Sequence, residues 1–198
     1  MIYVLTSLNK TLVVGLILTL CFFGYYFSLG NDFDVYFLQV IFRYIHVFAG
    51  IVWIGLLYYF NFVQIPNMPK IPDEQKPAIG KVIAPAALWY FRWGAMITLI
   101  SGIILAHLNG YLLSALQLGI NESNPKNTAI GIGMWLAIIM WFNVWFVIWP
   151  NQKKALGIIE VSADQKATSA KTAMLFSRTN TLLSIPMLFA MVSAQNIW

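Results

Sequence analysis

The sequence predicts an all-α integral membrane protein, a helical bundle of five transmembrane helices. Of its 198 residues, 60% are hydrophobic and 10% are charged, whereas a soluble domain carries roughly 25% charged residues. The mean hydropathy of +0.73 agrees. Five apolar stretches are long enough to cross a bilayer. They lie near residues 12–29, 37–64, 85–108, 128–149 and 172–193. We expect residues 1–198 to form a single transmembrane domain.

The first span follows Lys10, as the apolar region of a signal peptide would. It is longer than such a region and lacks a small-x-small cleavage site, so we interpret it as a membrane anchor. Prolines mark other span ends: Pro85 opens the third span and Pro150 closes the fourth. Pro186 lies inside the fifth span, where we expect it to kink the helix or free the carbonyl of Leu182.

Lysine placement predicts the orientation of the spans. One side holds Lys10, Lys70, Lys76, Lys81, Lys153, Lys154, Lys166 and Lys171, and the other holds Lys126. The N-terminus is therefore expected in the cytoplasm and the C-terminus outside. The formal net charge of +5 then reflects orientation, so membrane lipids and not nucleic acid are the expected neighbours.

The second span carries its polar residues on one face. At about 100° per residue, Arg43, Asn61 and Gln64 fall within about 60° of His46. Ionisable groups at membrane depth are costly unless they face the bundle interior and find a partner. The second span is therefore expected to line a site.

Two histidines are candidate haem ligands, because imidazole is a common ligand of haem iron. His46 lies in the outer half of the second span and His107 near the outer end of the third. Both could hold a haem b, with Arg43 neutralising a propionate, and His46 is also a candidate metal ligand. The two histidines lie at the same depth in the membrane if the third helix continues past Leu108, whereas Asn109–Gly110 favours a helix end at that point. A lone intramembrane histidine that bonds a neighbouring helix is the alternative.

A second polar cluster opens the fifth span, at residues 177–181. With amides from the second and fourth spans, it is expected to form an inner-half pocket for a small polar or anionic ligand. The residues assigned to this pocket as catalytic candidates are Arg92, Asn143, Arg178 and Asn180. The alternatives are hydrogen bonds between helices and, for Arg178, snorkelling to the interface.

Several functions are not supported. Hydrolysis, proton pumping and cation conduction would use acids within the spans, but all seven acidic residues lie in loops or at span ends. They are Asp32, Asp34, Asp73, Glu74, Glu122, Glu160 and Asp164. The single Cys21 excludes a Cys-x-x-Cys-His motif, and with it covalent haem c, within this sequence.

Four stretches resemble the membrane domain of the bacterial membrane-bound urate hydroxylase family, whose full-length members carry a C-terminal cytochrome c. They are RYIHVFAGIVWIGLLYYFNFVQIP (Arg43–Pro66), LWYFRWGAMITLISGI (Leu88–Ile103), GIGMWLAIIMWFNVWFVIWPNQKKALG (Gly131–Gly157) and SRTNTLLSIPMLFAM (Ser177–Met191). The pattern H-x-x-A-x-x-x-W-I-G from His46 to Gly55 is similar to small haem-binding membrane proteins of the protoporphyrinogen-oxidase type.

The resemblance implies oxidation of urate to 5-hydroxyisourate in the inner (cytoplasmic) membrane of a bacterium, with electrons leaving through cytochrome c. The sequence ends at Trp198 without a haem c domain, so the expected acceptor is a separate cytochrome or a larger membrane complex. A second copy of the chain is a further candidate partner. His107 has no counterpart in the family pattern. The alternative function is a non-catalytic transmembrane subunit of a larger respiratory or oxygenase complex.

Overall fold

Helices account for the regular structure of the chain. A computed structural model describes residues 2–121 and 123–198, and within these residues it contains no strand. The helices are α1 (Ile2–Leu5), α2 (Leu8–Ser28), α3 (Val35–Lys70), α4 (Lys76–Leu108), α5 (Leu112–Leu116), α6 (Pro125–Ala155) and α7 (Ala163–Asn196). Five of them are long and apolar enough to cross a membrane. This confirms the predicted all-α fold with five spans and supports a multi-pass membrane protein.

Contacts divide the chain into two compact units, the first of which ends at Leu38. This unit contains α1, α2 and the start of α3. The Phe37 ring is its centre: it stacks on Tyr26 at a centroid distance of 5.4 Å and meets Phe27 at 5.0 Å and Phe23 at 5.5 Å. No residue of α2 is buried.

The second unit, Gln39–Trp198, is a helical bundle around an aromatic and aliphatic core. Trp53 and Leu57 from α3 meet Phe91 from α4, and Met140 and Val144 from α6 complete the centre. Each of these side chains is at most 1% exposed. The helix α7 packs along α6, and the short α5 packs on α6 as well.

The prolines predicted to bound the spans instead lie inside continuous helices. A π-helical segment precedes each of them: Tyr59–Gln64 before Pro66, Ile79–Ile83 before Pro85, and Asn143–Ile148 before Pro150. Proline has no N–H, and its ring clashes with the carbonyl four residues earlier. In each segment the last N–H before the proline bonds the carbonyl five residues back, so the wide turn bypasses that clash.

The long helices therefore exceed the predicted spans, mainly on the lysine-rich side. The added turns are residues 65–70 of α3, 76–84 of α4, 150–155 of α6 and 163–171 of α7. We call these four stretches the lysine-side extension. A capping box starts α7. The Ser162 hydroxyl accepts the backbone N–H of Gln165 at 3.3 Å, and the side-chain carbonyl oxygen of Gln165 accepts the backbone N–H of Ser162 at 3.4 Å.

Candidate functional site

A large apolar cavity lies among α3, α4, α6 and α7 within the second unit. Its volume is about 600 Å³, which lies within the range of roughly 300–1,000 Å³ typical of ligand sites. We call it the histidine cavity, because His46 lies on its wall. Its polar lining comes from Arg43, His46, Thr98, Tyr111, Gln195 and Asn196. The cavity therefore combines an apolar interior with few polar groups.

The His46 ring is held in one orientation by α4. Its Nδ1 lies 2.9 Å from the carbonyl oxygen of Thr98. A carbonyl can only accept, so Nδ1 carries the proton and Nε2 keeps its lone pair. A Cβ added at Gly102 would lie 2.8 Å from Cε1 of the ring, so a larger residue there would displace the ring from this position. Nδ1 of His46 therefore bonds a neighbouring helix, as the predicted alternative states. Nε2 is left available for a ligand.

Arg43 and Tyr111 line the same cavity as His46. Burial raises the pKa of the Tyr111 phenol above its usual range, and the positive charge of Arg43 opposes that rise. The Arg43 side chain is exposed. A cation therefore stands beside the cavity, one helical turn from His46.

The structure does not bring His107 to His46. The helix α4 ends at Leu108, and Gly110 adopts φ +76°, so the continuation that a two-histidine site requires is absent. Nine residues separate His107 from Thr98, which turns it about half a revolution away from the His46 contact. Its side chain is exposed. His107 is not among the residues that line the histidine cavity, and its pairing with His46 stays a prediction.

The donor set suits haem better than a bare metal ion. Among the described residues, no three His, Cys, Asp or Glu side chains lie close enough to hold a metal. A haem needs one axial imidazole, since its porphyrin supplies the other nitrogens. His46, with Nε2 free and an apolar cavity beside it, fits that requirement.

Two of the four residues predicted to form the inner-half pocket, Asn143 and Asn180, are hydrogen-bonded to each other. The side-chain amide of Asn143 donates to the side-chain oxygen of Asn180 at 2.8 Å. The side-chain amide of Asn180 donates to the backbone carbonyl of Met140 at 2.9 Å. Asn180 is fully buried. These two amides therefore bond α6 to α7, as the interhelical alternative predicts.

The two predicted arginines differ from that amide pair in their surroundings. The guanidinium carbon of Arg92 lies 3.3 Å from the centroid of Trp149, and its Nε donates to the Leu88 carbonyl at 3.3 Å. An aromatic face thus replaces an acid as its partner. The Arg178 side chain is exposed, as expected of a snorkelling residue. Neither arginine lines the histidine cavity.

A second cavity of about 200 Å³ lies where the lysine-side extension meets the spans. We call it the glutamine pocket, because Gln64 and Gln152 both line it. The carbonyl oxygens of these two side chains are buried and have no hydrogen-bond partner among the described residues. Asn61 donates to Ser177, another lining residue, at 2.8 Å. Buried polar groups are normally paired, so these glutamines need an explanation.

Among the described residues, no acidic side chain lines either cavity. The described acids outside the long helices are Asp32, Asp34, Asp73, Glu74 and Glu160, and Asp164 lies in the first turn of α7. Glu122 lies outside the described residues.

Comparison with known proteins identifies a relationship for the C-terminal part of the chain. Residues 122–196 match the family described as Urate oxidase N-terminal. This match supports a urate-oxidase-related family. No match was found among curated proteins or among solved structures.

The matched segment contains α6 and α7, and thus Asn143, Gln152 and Asn180. His46 and Gln64 precede it. Gln152 was not predicted as a site residue, because a helix expected to stop at Pro150 places it in a loop. Thr98, whose backbone carbonyl orients His46, was not predicted either, since backbone acceptors leave no side-chain signal.

Proposed function

We propose that this chain is a membrane-bound oxidoreductase related to urate hydroxylases, located in the cytoplasmic membrane of a bacterium, that binds haem b through His46. The observation that carries the proposal is the Thr98-oriented imidazole on the wall of the histidine cavity. The relationship of residues 122–196 to the urate oxidase family supports a redox function.

The hydrogen bond to Thr98 sets the chemistry of His46. Metal-binding histidines almost always donate their second ring N–H to a carbonyl or carboxylate, which fixes the tautomer and raises the basicity of the ligating nitrogen. Nδ1 of His46 makes this bond at 2.9 Å. Nε2 would then be the atom that holds the haem iron, and bound haem would supply a carrier of one electron at a time.

Arg43 is the residue that would pair with a haem propionate. It lines the histidine cavity one helical turn from His46, and a guanidinium binds a carboxylate through two parallel hydrogen bonds. The apolar lining would exclude water from the remaining faces of the group.

The proposed reaction is oxidation of urate to 5-hydroxyisourate. It adds the elements of one water molecule and releases two protons and two electrons. The electrons pass to a separate cytochrome c or to a larger membrane complex, since the single Cys21 provides no covalent haem c within residues 1–198. The predicted substrate contacts of Arg92, Asn143, Arg178 and Asn180 stay predictions.

The absorbance spectrum of the purified protein tests the haem assignment. We expect a Soret band, with the pyridine haemochrome of haem b, and its loss in His46→Ala. The matched control is His107→Ala, which removes the other of the two histidines from an exposed position and should keep full haem content. Wild-type protein without haem, or equal haem in both variants, would overturn the assignment.

A urate oxidation assay with added cytochrome c tests the reaction separately. We expect consumption of urate and reduction of two cytochromes per urate by wild-type protein. Haem-free, inactive protein that co-purifies with stoichiometric subunits would instead favour the non-catalytic subunit of a larger complex.

A further inference from the structure

The glutamine pocket holds two carboxamides whose side-chain oxygens are buried and unpaired among the described residues. Gln64 comes from the π-helical segment of α3, and Gln152 from the turn of α6 that follows Pro150. A buried acceptor without a donor is costly, so a bound molecule that donates to both oxygens would stabilise this pocket.

The neighbouring amide of Asn61 is hydrogen-bonded through its nitrogen only. Its Nδ2 donates to the Leu57 carbonyl at 2.9 Å and to the Ser177 hydroxyl at 2.8 Å. Its Oδ1 is buried and unpaired, as are the two glutamine oxygens. Three acceptors therefore lie in or beside one small pocket, and a bound molecule must supply N–H or O–H donors.

A carboxamide presents a donor and an acceptor side by side. Its complement is an –NH–CO– group whose N–H and C=O point the same way. Open-chain secondary amides are trans, which points these two groups in opposite directions. Because the cis form costs several kcal/mol without a ring, the matching edge belongs to cyclic amides, that is, to lactams.

The size and charge of the glutamine pocket further restrict the class of molecule that it could bind. At about 200 Å³, the pocket is smaller than the roughly 300–1,000 Å³ of drug-sized sites. Phe60 and Leu88 form apolar walls, and no ionisable side chain in the part of the chain that the structure describes lines the pocket. Lys153 and Lys154 lie in the same helix turns as Gln152, so the surrounding field favours an anionic or acidic molecule over a cation.

We propose that the glutamine pocket binds a small cyclic molecule with two –NH–CO– edges, one paired with Gln64 and the other with Gln152. Oxidised purines and cyclic ureides have this chemistry. The inference deepens the proposed function, on which the choice of urate as the probe rests. It concerns binding alone and does not require haem at His46.

Calorimetric titration of the full chain in lipid nanodiscs tests the proposal with two matched probes. Urate carries lactam edges, whereas fully N-methylated urate keeps the ring and its carbonyls but has no N–H to donate. We expect urate to bind and the methylated compound to bind at least about tenfold more weakly, because each lost hydrogen bond removes a measurable part of the affinity.

Two apolar variants of similar volume locate the site. Gln64→Met and Gln152→Met should each weaken urate binding about tenfold or more. The control is Gln75→Met, an exposed glutamine in the loop on the same side, which should leave binding unchanged. Since the two pocket variants remove an unsatisfied buried group, their melting temperatures without ligand should equal or exceed that of the wild type.

The outcomes separate this inference from the proposed function. Urate binding that persists in His46→Ala and falls in Gln64→Met supports the pocket whether or not urate is oxidised. Unchanged affinity in folded Gln64→Met and Gln152→Met, or equal binding of the methylated probe, overturns it. A pocket filled by water only would give no titration signal with urate, and that result also overturns the inference.

Discussion

Buried amides have two fates in this protein, and the difference lies in single hydrogen bonds. Asn143 in α6 donates to the side-chain oxygen of Asn180 in α7 at 2.8 Å, and Asn180 donates to the Met140 carbonyl. Gln64 and Gln152 keep unpaired oxygens beside a cavity. Residue type alone does not separate these cases, because all four are primary carboxamides in or beside apolar helices. A paired amide contributes to packing, and an unpaired one beside a cavity indicates a binding site.

The Asn143–Asn180 pair predicts a non-additive effect on stability. Asn180→Leu leaves the Asn143 amide without its partner, and we expect it to lower the free energy of unfolding by about 1–2 kcal/mol. Asn143→Leu combined with Asn180→Leu removes both amides and should cost less than the sum of the single variants. Thermal unfolding of the wild type, the two single variants and the double variant in detergent measures this double-mutant cycle, with the exposed Asn121→Leu as a control. Strict additivity would contradict the pairing.

At the scale of elements, the π-helical segments determine where side chains point. Each wide turn contains one residue more than the hydrogen-bonded turn of an α-helix. The helical phase therefore shifts within Tyr59–Gln64, Ile79–Ile83 and Asn143–Ile148. Gln64 and Asn143 both lie in these segments, so the wide turns set the direction of both side chains.

The packing of α5 on α6 depends on one glycine. A Cβ at Gly131 would collide with the backbone carbonyl of Ala115, and a backbone atom has no rotamer by which to avoid it. We expect Gly131→Ala to lower the free energy of unfolding by about 1–3 kcal/mol. In the control Gly55→Ala, no atom lies within 4 Å of the added Cβ, and helix propensity should leave stability equal or slightly higher. Equal melting temperatures for wild type and Gly131→Ala would contradict this contact.

Composition and spacing predict the five apolar helices, and the structure confirms them. His46, Asn143 and Asn180 stand out in the sequence because their polarity contrasts with their surroundings, and their roles as ligand and catalytic residues stay predictions. Helix ends were predicted at Pro85 and Pro150 because proline normally interrupts an α-helix, and the π segments remove that interruption. The same error excluded Gln152. The contact between Arg92 and Trp149 joins α4 to α6, and a pairing so distant in sequence leaves no local pattern.

At the scale of the whole molecule, both helix length and lysine content distinguish one side of the bundle from the other. The four long helices of the second unit contain between 31 and 36 residues, or roughly 50 Å at 1.5 Å per residue, against a hydrocarbon core of about 30 Å. The excess lies mainly in the lysine-side extension. Its lysines are Lys70, Lys76, Lys81, Lys153, Lys154, Lys166 and Lys171. The glutamine pocket opens at its base, where spans and extension meet.

The predicted orientation places this extension in the cytoplasm. Alkaline phosphatase, which is active only outside the cytoplasm, should be active when fused after Asn196 and inactive when inserted after Pro72. A green fluorescent protein at the same two positions should give the opposite pattern. Activity of the phosphatase at Pro72 would reverse the assigned topology and place the glutamine pocket at the external face.

The bond between Asn143 and Asn180 also bears on how the protein enters the bilayer. Each asparagine would be an unsatisfied amide if its helix were transferred to lipid alone. Only residues 156–162 separate α6 from α7, so the two helices can meet before either is fully surrounded by lipid. We therefore expect the translocon to release them together as a hairpin, with the amide pair already formed, and the fourth span to remain beside the translocon until the fifth has been synthesised.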